Sequence, residues 1–235
     1  MNDLNTQDKN QFIPVHIAVI MDGNRRWARK RGMPAIVGHN AGVKAVRRTV
    51  EAAARMGVKV LSLYAFSTEN WNRTQGEING LMSLLSQAIQ DYTGELEKNG
   101  IKLLYCGNLD RIPETTRKII LESKERLKNN KGMILNVALN YGGRQEIVDA
   151  ANKAIELGLK KLDEKTFSSL LYTADLPDPD LLIRTSGELR LSNFLLWQMA
   201  YTEFYITDTL WPDFNEEELK KAVKAFSSRE RRRGA

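Results

Sequence analysis

Asp22 ends an apolar run, Val15–Met21, and opens the string Gly23-Asn24-Arg25-Arg26-Trp27, which leads into a helix-forming stretch. These residue types in this order suit a phosphorylated ligand. Glycine lets a ligand approach the backbone closely, and the unpaired N–H groups of a helix start favour an anion. Arg26 adds a fixed charge matched to phosphate oxygens, and Asp22 is placed to hold a hard cation such as Mg2+ beside it. The same residues also describe an aspartate N-cap with exposed arginines nearby. Neither Gly-x-x-x-x-Gly-Lys nor Gly-x-Gly-x-x-Gly occurs at this string, so neither common nucleotide-binding loop is present there.

Further chemistry-bearing groups follow along the chain. Ser67-Thr68-Glu69-Asn70-Trp71-Asn72-Arg73 leaves a second apolar run with an amide, a carboxylate and a cation in close succession. It reads either as a capping box for the next helix or as a polar ligand surface. Arg184, Arg190 and Ser192 surround Thr185-Ser186-Gly187-Glu188; two arginines and hydroxyls at a glycine turn suit a diphosphate. Arginines paired structurally with Glu188 are the alternative. Glu203 stands near the start of a short strand pattern, as a second metal contact or simply an edge residue. His39, between Gly38 and Asn40, reads as a proton donor to phosphate or as a structural histidine. Cys106 has no partner for metal or disulfide work and reads as packing. Asp175, Asp178 and Asp180 alternate with prolines, which suits a turn.

The elements that must position these groups alternate. Val15–Met21, Val58–Phe66, Ile101–Cys106, Met133–Asn140, Leu181–Arg184 and Phe204–Thr207 read as short apolar strands. Helical spacing is expected over Asn40–Met56, from Ile78 through Leu96 to near Gly100, over Pro113–Asn129 and Gln145–Leu157, and from about Glu216 onward. Strands alternating with helices imply an α/β fold: one domain with a mainly parallel sheet covered on both faces. In such a sheet, the clusters at Asp22, Ser67, Asn140-Tyr141-Gly142-Gly143 and Arg184 all fall on one edge, where these folds bind ligands.

Charge narrows the class only a little. Lys and Arg total 35 against 29 Asp and Glu, a net +6 with pI near 9.3. The basic residues cluster at Arg25, Arg26, Arg29, Lys30 and Arg31, and again at Arg229, Arg231, Arg232 and Arg233. Nucleic acid, anionic lipid and a polyphosphate small molecule all suit such clusters. With 42% hydrophobic and 27% charged residues, global disorder is excluded. A single cysteine fits a reducing compartment. No apolar run approaches about 18 residues, and Met1–Gln11 has no apolar signal core. A cytoplasmic protein is expected, without a membrane anchor.

Taken in order, Ile20-Met21-Asp22-Gly23-Asn24-Arg25-Arg26-Trp27, Gly38-His39, Tyr64-Ala65-Phe66-Ser67-Thr68-Glu69-Asn70-Trp71, Asn140-Tyr141-Gly142-Gly143-Arg144 and Arg184-Thr185-Ser186-Gly187-Glu188-Leu189-Arg190-Leu191-Ser192-Asn193-Phe194, with Trp197-Gln198 and Trp211-Pro212, resemble the cis-prenyltransferases, and among them the bacterial undecaprenyl diphosphate synthases. The resemblance runs from about His16 to Gly234. It implies condensation of isopentenyl diphosphate with an allylic diphosphate such as farnesyl diphosphate, giving a long-chain product with cis double bonds. It implies Mg2+ at Asp22, with Glu203 as the other metal-linked residue, and an allylic diphosphate cradle of Gly23, Asn24, Arg25, Arg26 and Trp27 joined by His39 and Arg73. Ser67, Thr68, Glu69 and Trp71 fall where the family contacts substrate, and Asn70 where a proton acceptor has been proposed. Arg184, Arg190, Leu191 and Ser192 correspond to the isopentenyl diphosphate site, and Arg232-Arg233-Gly234 to a terminal motif that closes it. An apolar tunnel is implied, with the stripe Leu81, Leu85 and Ile89 and the strands Val58–Phe66 and Met133–Leu139 as its walls. A homodimer and transient contact with a membrane surface are implied as well, with no nucleic-acid partner. The catalytic domain is expected over residues 14–235, after a polar tail of residues 1–13.

Two positions depart from the common bacterial pattern. Arg25 replaces a frequent glycine, and Ala35 stands where many members carry an arginine facing the allylic diphosphate, a loss that Arg25 or Arg31 is expected to offset. A trans-type prenyltransferase would need Asp-Asp-x-x-Asp clusters, which the chain lacks. A non-catalytic partner subunit would be expected to lack the aspartate at position 22, and Asp22 is in place.

Overall fold

In the computed structural model, residues 12–229 are described. Six strands, β1 (His16–Ile20), β2 (Val60–Ser67), β3 (Lys102–Cys106), β4 (Ile134–Tyr141), β5 (Leu181–Thr185) and β6 (Glu203–Thr207), form one sheet in the order β3-β4-β2-β1-β5-β6. Every pairing is parallel. Among the described residues seven α-helices accompany them: α1 (Asn24–Arg29), α2 (Ala35–Arg55), α3 (Gln75–Lys98), α4 (Glu114–Leu127), α5 (Gly143–Glu156), α6 (Glu164–Ser168) and α7 (Glu216–Ser227). The expected α/β class and parallel sheet are therefore present.

The sheet forms because its central strands are apolar on both sides. All five residues of β1 and of β5 are buried, as a parallel sheet covered on both faces requires. One face packs Ile17, Val19, Leu61, Leu63 and Ile183 against residues of α2 and α7, including Val50, Leu219 and Phe226. The other packs Ala18, Ile20, Tyr64 and Leu182 under Phe194, Leu195 and Met199. Among the described residues, no helix contributes to that second cluster. Residues 186–202, which link β5 to β6, run as turns and irregular chain.

Helix ends follow local chemistry. The Thr74 side chain accepts from the Glu77 N–H to start α3, and Gly100, at φ 64°, follows its C-cap. Asn215 caps α7 by accepting from the Glu217 and Glu218 N–H groups. The helix expected from Asn40 begins earlier, at Ala35, because Gly38 and Gly42 weaken the local helical signal while tertiary packing requires them. Short α6 carried no sequence expectation; Asp163 caps it through the Thr166 N–H. At the amino end, the Phe12 N–H donates to Ser227 Oγ at 2.9 Å and its ring lies 6.1 Å from that of Phe226. Phe12 and Ile13, within the expected tail of residues 1–13, thus lie against the core. Met1–Gln11 and Arg231-Arg232-Arg233-Gly234 lie outside the described residues. Among the described residues no helix is long and apolar enough to cross a membrane.

A buried polar row crosses the sheet. His16 Nδ1–H donates to the Pro177 carbonyl at 2.6 Å, its Nε2 meets Ser62 Oγ at 2.8 Å, and Asn136 Nδ2 donates to the same hydroxyl at 3.0 Å. Burial pulls the His16 pKa down to about 4, against opposing pulls from Pro177 and Asp180. Between its ordinary value near 6.5 and 4, the unfolded chain therefore binds a proton that the folded chain refuses. Stability rises with pH across that window and is lost as pH falls through it, by about 3 kcal/mol in total at roughly 1.4 kcal/mol per unit. In His16→Gln, the steepness of melting temperature against pH between 4 and 6.5 is expected to fall relative to the parent. Equal steepness in both proteins would contradict this assignment.

Candidate functional site

Along the carboxyl ends of the strands, Asp22 follows β1, Asn70 follows β2, Asn140 ends β4 and Ser186 follows β5. Gly23, at φ 111°, turns the chain from β1 into α1. An added Cβ would come within 3.0 Å of Leu210, so the turn needs glycine on both counts. Asp22 is not an N-cap: Gly23 holds that position and no side chain caps the helix. Its backbone carbonyl accepts from the Trp211 N–H at 3.0 Å and from Thr185 Oγ1 at 2.6 Å. Its carboxylate Oδ2 accepts from Arg184 Nη2 at 3.0 Å and lies 3.4 Å from Arg26 Nη2.

Both arginines are aimed by further contacts. Arg184 is 3% exposed, and its Nη1 donates to the Arg190 carbonyl and to Ser192 Oγ at 2.8 Å. Arg26 Nη1 donates to the Ser186 carbonyl at 3.1 Å and meets Glu188 Oε1 at 3.2 Å. Arg190 pairs with Glu188 Oε2 at 2.5 Å and is exposed. The structural pairing with Glu188 is thus real for Arg26 and Arg190, whereas Arg184 serves Asp22 and Ser192.

A second charged knot sits opposite. Glu77 accepts from Arg73 at 2.8 Å, lies 3.9 Å from Arg25 and 3.8 Å from His39 Nε2. Burial lowers the His39 pKa, as do Arg73 and Arg25, against Glu77. A neutral imidazole results, able to offer a hydrogen bond rather than a charge. Gly38 lets α2 approach α1 here; a Cβ would stand 2.1 Å from the Asn24 carbonyl oxygen.

The 3-10 turn Thr68–Asn72 uses the capping box: the Ser67 N–H donates to Asn70 Oδ1 at 3.1 Å, and Ser67 caps in return. Glu69 accepts from Asn193 Nδ2 at 2.9 Å. Burial would raise the Glu69 pKa, but hydrogen bonds led by Asn193 bring it below the usual range.

Two polar cavities and one apolar cavity meet at these groups. One polar cavity is lined by Asp22, Ser67, Glu69, Asn70, Arg73, Arg144, Arg184 and Ser192; the other by Asp22 to Arg26, Arg29, Ala35 and Arg73. Met21, Asn24 and His39 line both, and also the mouth of the apolar cavity. That third cavity runs between the sheet and helices α2 and α3, past Leu81, Leu85 and Ile89, Leu63 to Phe66, and Leu135 to Leu139. A bulge between Tyr64 and Phe66 sets Ala65 at the junction of polar and apolar space.

Two features mark this edge as a ligand site. Among the described residues, buried side-chain atoms without a partner are Asn24 Oδ1, His39 Nε2, Arg184 Nε, Ser186 Oγ and Gln198 Oε1; all but the last belong here. Non-glycine residues with left-handed backbone are Asn140, Ser186, Ser192, Asn193 and Leu195, at the ends of β4 and β5 or in the irregular crossover. Buried unsatisfied groups and backbone strain concentrate where a ligand completes the structure.

Not every expected residue joins. Trp27 donates its indole N–H to Asp213 at 2.7 Å and lines none of the three cavities. Arg31 stacks over Trp27 at 4.0 Å and meets Asp213, and it lines none of the three cavities. Trp71 donates to Asn140 Oδ1 at 2.6 Å and packs on Phe66; Thr68 lies against Gly142. Leu191 packs at the rim of the Phe194 cluster. Glu203 is not brought beside Asp22: it pairs with Leu181 at the amino end of the sheet, three rungs (about 10 Å) below Ile206, which is level with Ile20. Its carboxylate meets Arg229 Nη1 at 3.0 Å. Cys106, buried with its thiol pushed up to about 12 by burial, stays protonated and serves packing.

Three residues were missed. Glu77 was legible as the i+4 partner of Arg73. Asn193 holds Glu69 and, through Oδ1, the Arg144 N–H at 2.9 Å; its role depends on a left-handed backbone that no pattern announces. Arg144, from the fourth cluster, lines the polar cavity with Arg184.

A cation at Asp22 is chemically reasonable. Both arginine contacts use Oδ2, leaving Oδ1 for another partner. Among the described residues no group of three or more His, Cys, Asp or Glu could hold a metal. One carboxylate, with the remaining ligands from water and a phosphorylated substrate, is the coordination Mg2+ commonly accepts.

Comparison with known proteins agrees with this arrangement. The prenyltransferase family model described as "Putative undecaprenyl diphosphate synthase" matches residues 20–234. An isoprenyl transferase of Fusobacterium nucleatum is 52% identical over 94% of this chain and 96% of its own. The ditrans,polycis-undecaprenyl-diphosphate synthase of Micrococcus luteus, specific for (2E,6E)-farnesyl diphosphate, is 48% identical over 94% and 92%. The crystal structure of lavandulyl diphosphate synthase from Lavandula x intermedia, in complex with dimethylallyl diphosphate, superposes with a TM-score of 0.91 at 38% identity, covering 95% of this chain and 99% of that one.

Proposed function

This chain belongs to the undecaprenyl diphosphate synthase family of prenyltransferases, and from that premise we propose that it condenses isopentenyl diphosphate with an allylic diphosphate, farnesyl diphosphate first, to build a long-chain cis-polyprenyl diphosphate, undecaprenyl diphosphate for a cell-wall lipid carrier. The observation that carries this reading is the meeting of two polar cavities with one apolar cavity at Met21, Asn24 and His39. Two diphosphates and a hydrocarbon tail need that combination of environments.

The reaction breaks the allylic carbon–oxygen bond, with the electron pair leaving on diphosphate. The isopentenyl double bond attacks the carbon left electron-poor, and a proton is then lost from the new unit. Gly23, Asn24, Arg25, Arg26, His39 and Arg73 hold the allylic diphosphate, and preorganised donors around the departing charge lower the barrier. Asp22 would hold Mg2+, whose charge would further neutralise the departing diphosphate. Arg184 and Ser192, with Arg190 at the rim, hold isopentenyl diphosphate so that its double bond faces the reacting carbon. Ser67 and Glu69 line the space between. Asn70, an amide whose Oδ1 already accepts from the Ser67 N–H, orients substrate, while diphosphate or water takes the proton. The tail enters the apolar cavity, where each buried CH₂ is worth about 0.8 kcal/mol. The exposed Leu189, Tyr201 and Phe204 suit a homodimer contact, and a lipid product calls for transient contact with a membrane surface.

Incubating the purified protein with Mg2+, farnesyl diphosphate and labelled isopentenyl diphosphate tests the reading. The expected result is a series of chain-extended diphosphates that disappears when the metal is chelated. No product longer than the primer would end it.

A further inference from the structure

The irregular crossover between β5 and β6 is strained beside the candidate site. Ser192, Asn193 and Leu195 hold left-handed backbone at φ 49°, 64° and 43°. Non-glycine residues keep such conformations only where their surroundings over-determine them. The first turn of α5 supplies that hold. The Gly143 N–H donates to the Asn193 carbonyl at 2.7 Å, and the Arg144 N–H donates to Asn193 Oδ1 at 2.9 Å. In the same turn, Glu146 Oε2 accepts from Gln198 Nε2 at 3.0 Å.

Glu146 is 1% exposed, and its partners are neutral. Oε2 also accepts from the Tyr141 hydroxyl, and Oε1 accepts from the Tyr172 N–H at 3.0 Å. Burial pushes its carboxyl above the usual range, against these hydrogen bonds. Gln198 Nε2 donates to Thr173 Oγ1 at 2.7 Å as well, while its buried Oε1 has no partner. Apolar side chains could fill the same space without these desolvation costs, so stability alone does not account for the network. It leads instead to Ser192. The Tyr141 ring meets Phe194 edge-on at 5.9 Å, and Phe194 stacks on Tyr64 at 4.3 Å. The Tyr64 hydroxyl donates to the Tyr141 carbonyl at 3.1 Å and lies 3.4 Å from that of Ser192.

We propose that Glu146 is a positioning residue for isopentenyl diphosphate: through Gln198 and Tyr141 it holds residues 192–198 in the shape that sets Ser192 against Arg184. The proposal rests on the prenyltransferase reading above. Glu146 lines neither polar cavity, so it acts through its neighbours rather than on substrate. A satisfied buried polar network fixes one arrangement of the groups it joins; without it, the left-handed segment relaxes towards ordinary backbone. Ser192 Oγ, 2.8 Å from Arg184 Nη1, then moves, and a misplacement of about 1 Å can cost about 10²-fold in rate. The allylic cradle is carried mainly on α1 and α2, outside this set of contacts, so the effect falls on one substrate.

Glu146→Gln keeps the side chain's size but turns one acceptor into a donor, which must face either the Tyr172 N–H or the Gln198 amide. The KM for isopentenyl diphosphate is expected to rise about tenfold or more, while that for farnesyl diphosphate stays within about threefold. A role in stability alone would move both or neither. Gln198→Met keeps the length and removes the donor to Glu146; it should raise the same KM about threefold, and it decides the question alone if Glu146→Gln does not fold. Combining Glu146→Gln with Ser192→Ala should raise that KM by clearly less than the product of the two single effects, because both act on one segment. Steady-state kinetics with each substrate varied in turn reads all of these. Equal rises in both KM values, no rise in either variant, or a fully multiplicative double variant overturns the positioning role and leaves the prenyltransferase reading standing. A parent protein that extends no primer removes the premise, and the positioning role with it.

Discussion

Asp22→Ala lowers turnover by about 10²- to 10³-fold or more, the range seen when one preorganised group stabilising developing charge is removed, while the protein still folds. The chain tolerates the loss because the structural work at position 22 is done by the backbone. Its carbonyl accepts from Trp211 and Thr185, and alanine keeps that carbonyl. The side chain is 30% exposed, so water replaces the carboxylate beside Arg184, which retains the Arg190 carbonyl and Ser192 Oγ. A fall of a few degrees in melting temperature follows, since 1 kcal/mol shifts a domain of this size by about 2–4 °C.

The kinetic pattern separates this role from simple substrate binding. Without the carboxylate, Arg26 and Arg184 keep their other partners but lose their pull towards Asp22, so more of their charge is offered to diphosphate and the KM for the allylic substrate is expected to hold or fall while kcat collapses. The response to added Mg2+ should flatten in Asp22→Ala, and Asp22→Asn, which keeps the size but not the charge, should resemble it. Turnover within tenfold of the parent, or an undiminished Mg2+ response, would show that Asp22 does not hold the cation.

Strand composition made the sheet readable and helix spacing made its direction readable. Continuous apolar runs such as Val15–Met21 and Leu181–Arg184 can only be buried on both faces, which implies parallel pairing. Parallel pairing alone gathers Asp22, Asn70, Asn140 and Arg184 on one edge. The crossover through Ser192 and Asn193 was less legible, because its shape depends on left-handed residues that are individually unfavourable and are held only by the tertiary structure around them. Glu203 shows a different gap. Its place near the start of β6 was legible, but the start of a parallel strand is the end of the sheet remote from Asp22. Trp27 and Arg31 sit within a basic, aromatic string that looks ligand-directed, and Asp213, more than 180 residues away in sequence, pairs with both. Pairings that distant have no local signature.

The arginine that serves Asp22 from the neighbouring strand β5 supports the second large effect. Arg184 is buried, its Nη atoms reach three acceptors on two segments, and its Nε has no partner. The unpartnered donor is the atom free to meet a ligand anion. Arg184→Lys keeps the charge and loses the fork, since one ammonium on a flexible stem cannot span Asp22, the Arg190 carbonyl and Ser192 together. Hydrogen bonds involving a charged group are worth about 1.5–3 kcal/mol each. Losing two of them in the reacting complex lowers kcat/KM by about 10²- to 10⁴-fold. Because the lost anchors hold residues 190–192, the KM for isopentenyl diphosphate should rise at least tenfold while that for the allylic primer stays within about threefold. Ser192→Ala removes one of the same bonds and should show the same asymmetry at about a tenth of the parent's kcat/KM. Steady-state kinetics with each substrate varied in turn distinguishes this from general damage. If both KM values rise together in Arg184→Lys, or Ser192→Ala is indistinguishable from the parent, the crossover is not the isopentenyl diphosphate clamp and Arg184 is a structural partner of Asp22 alone.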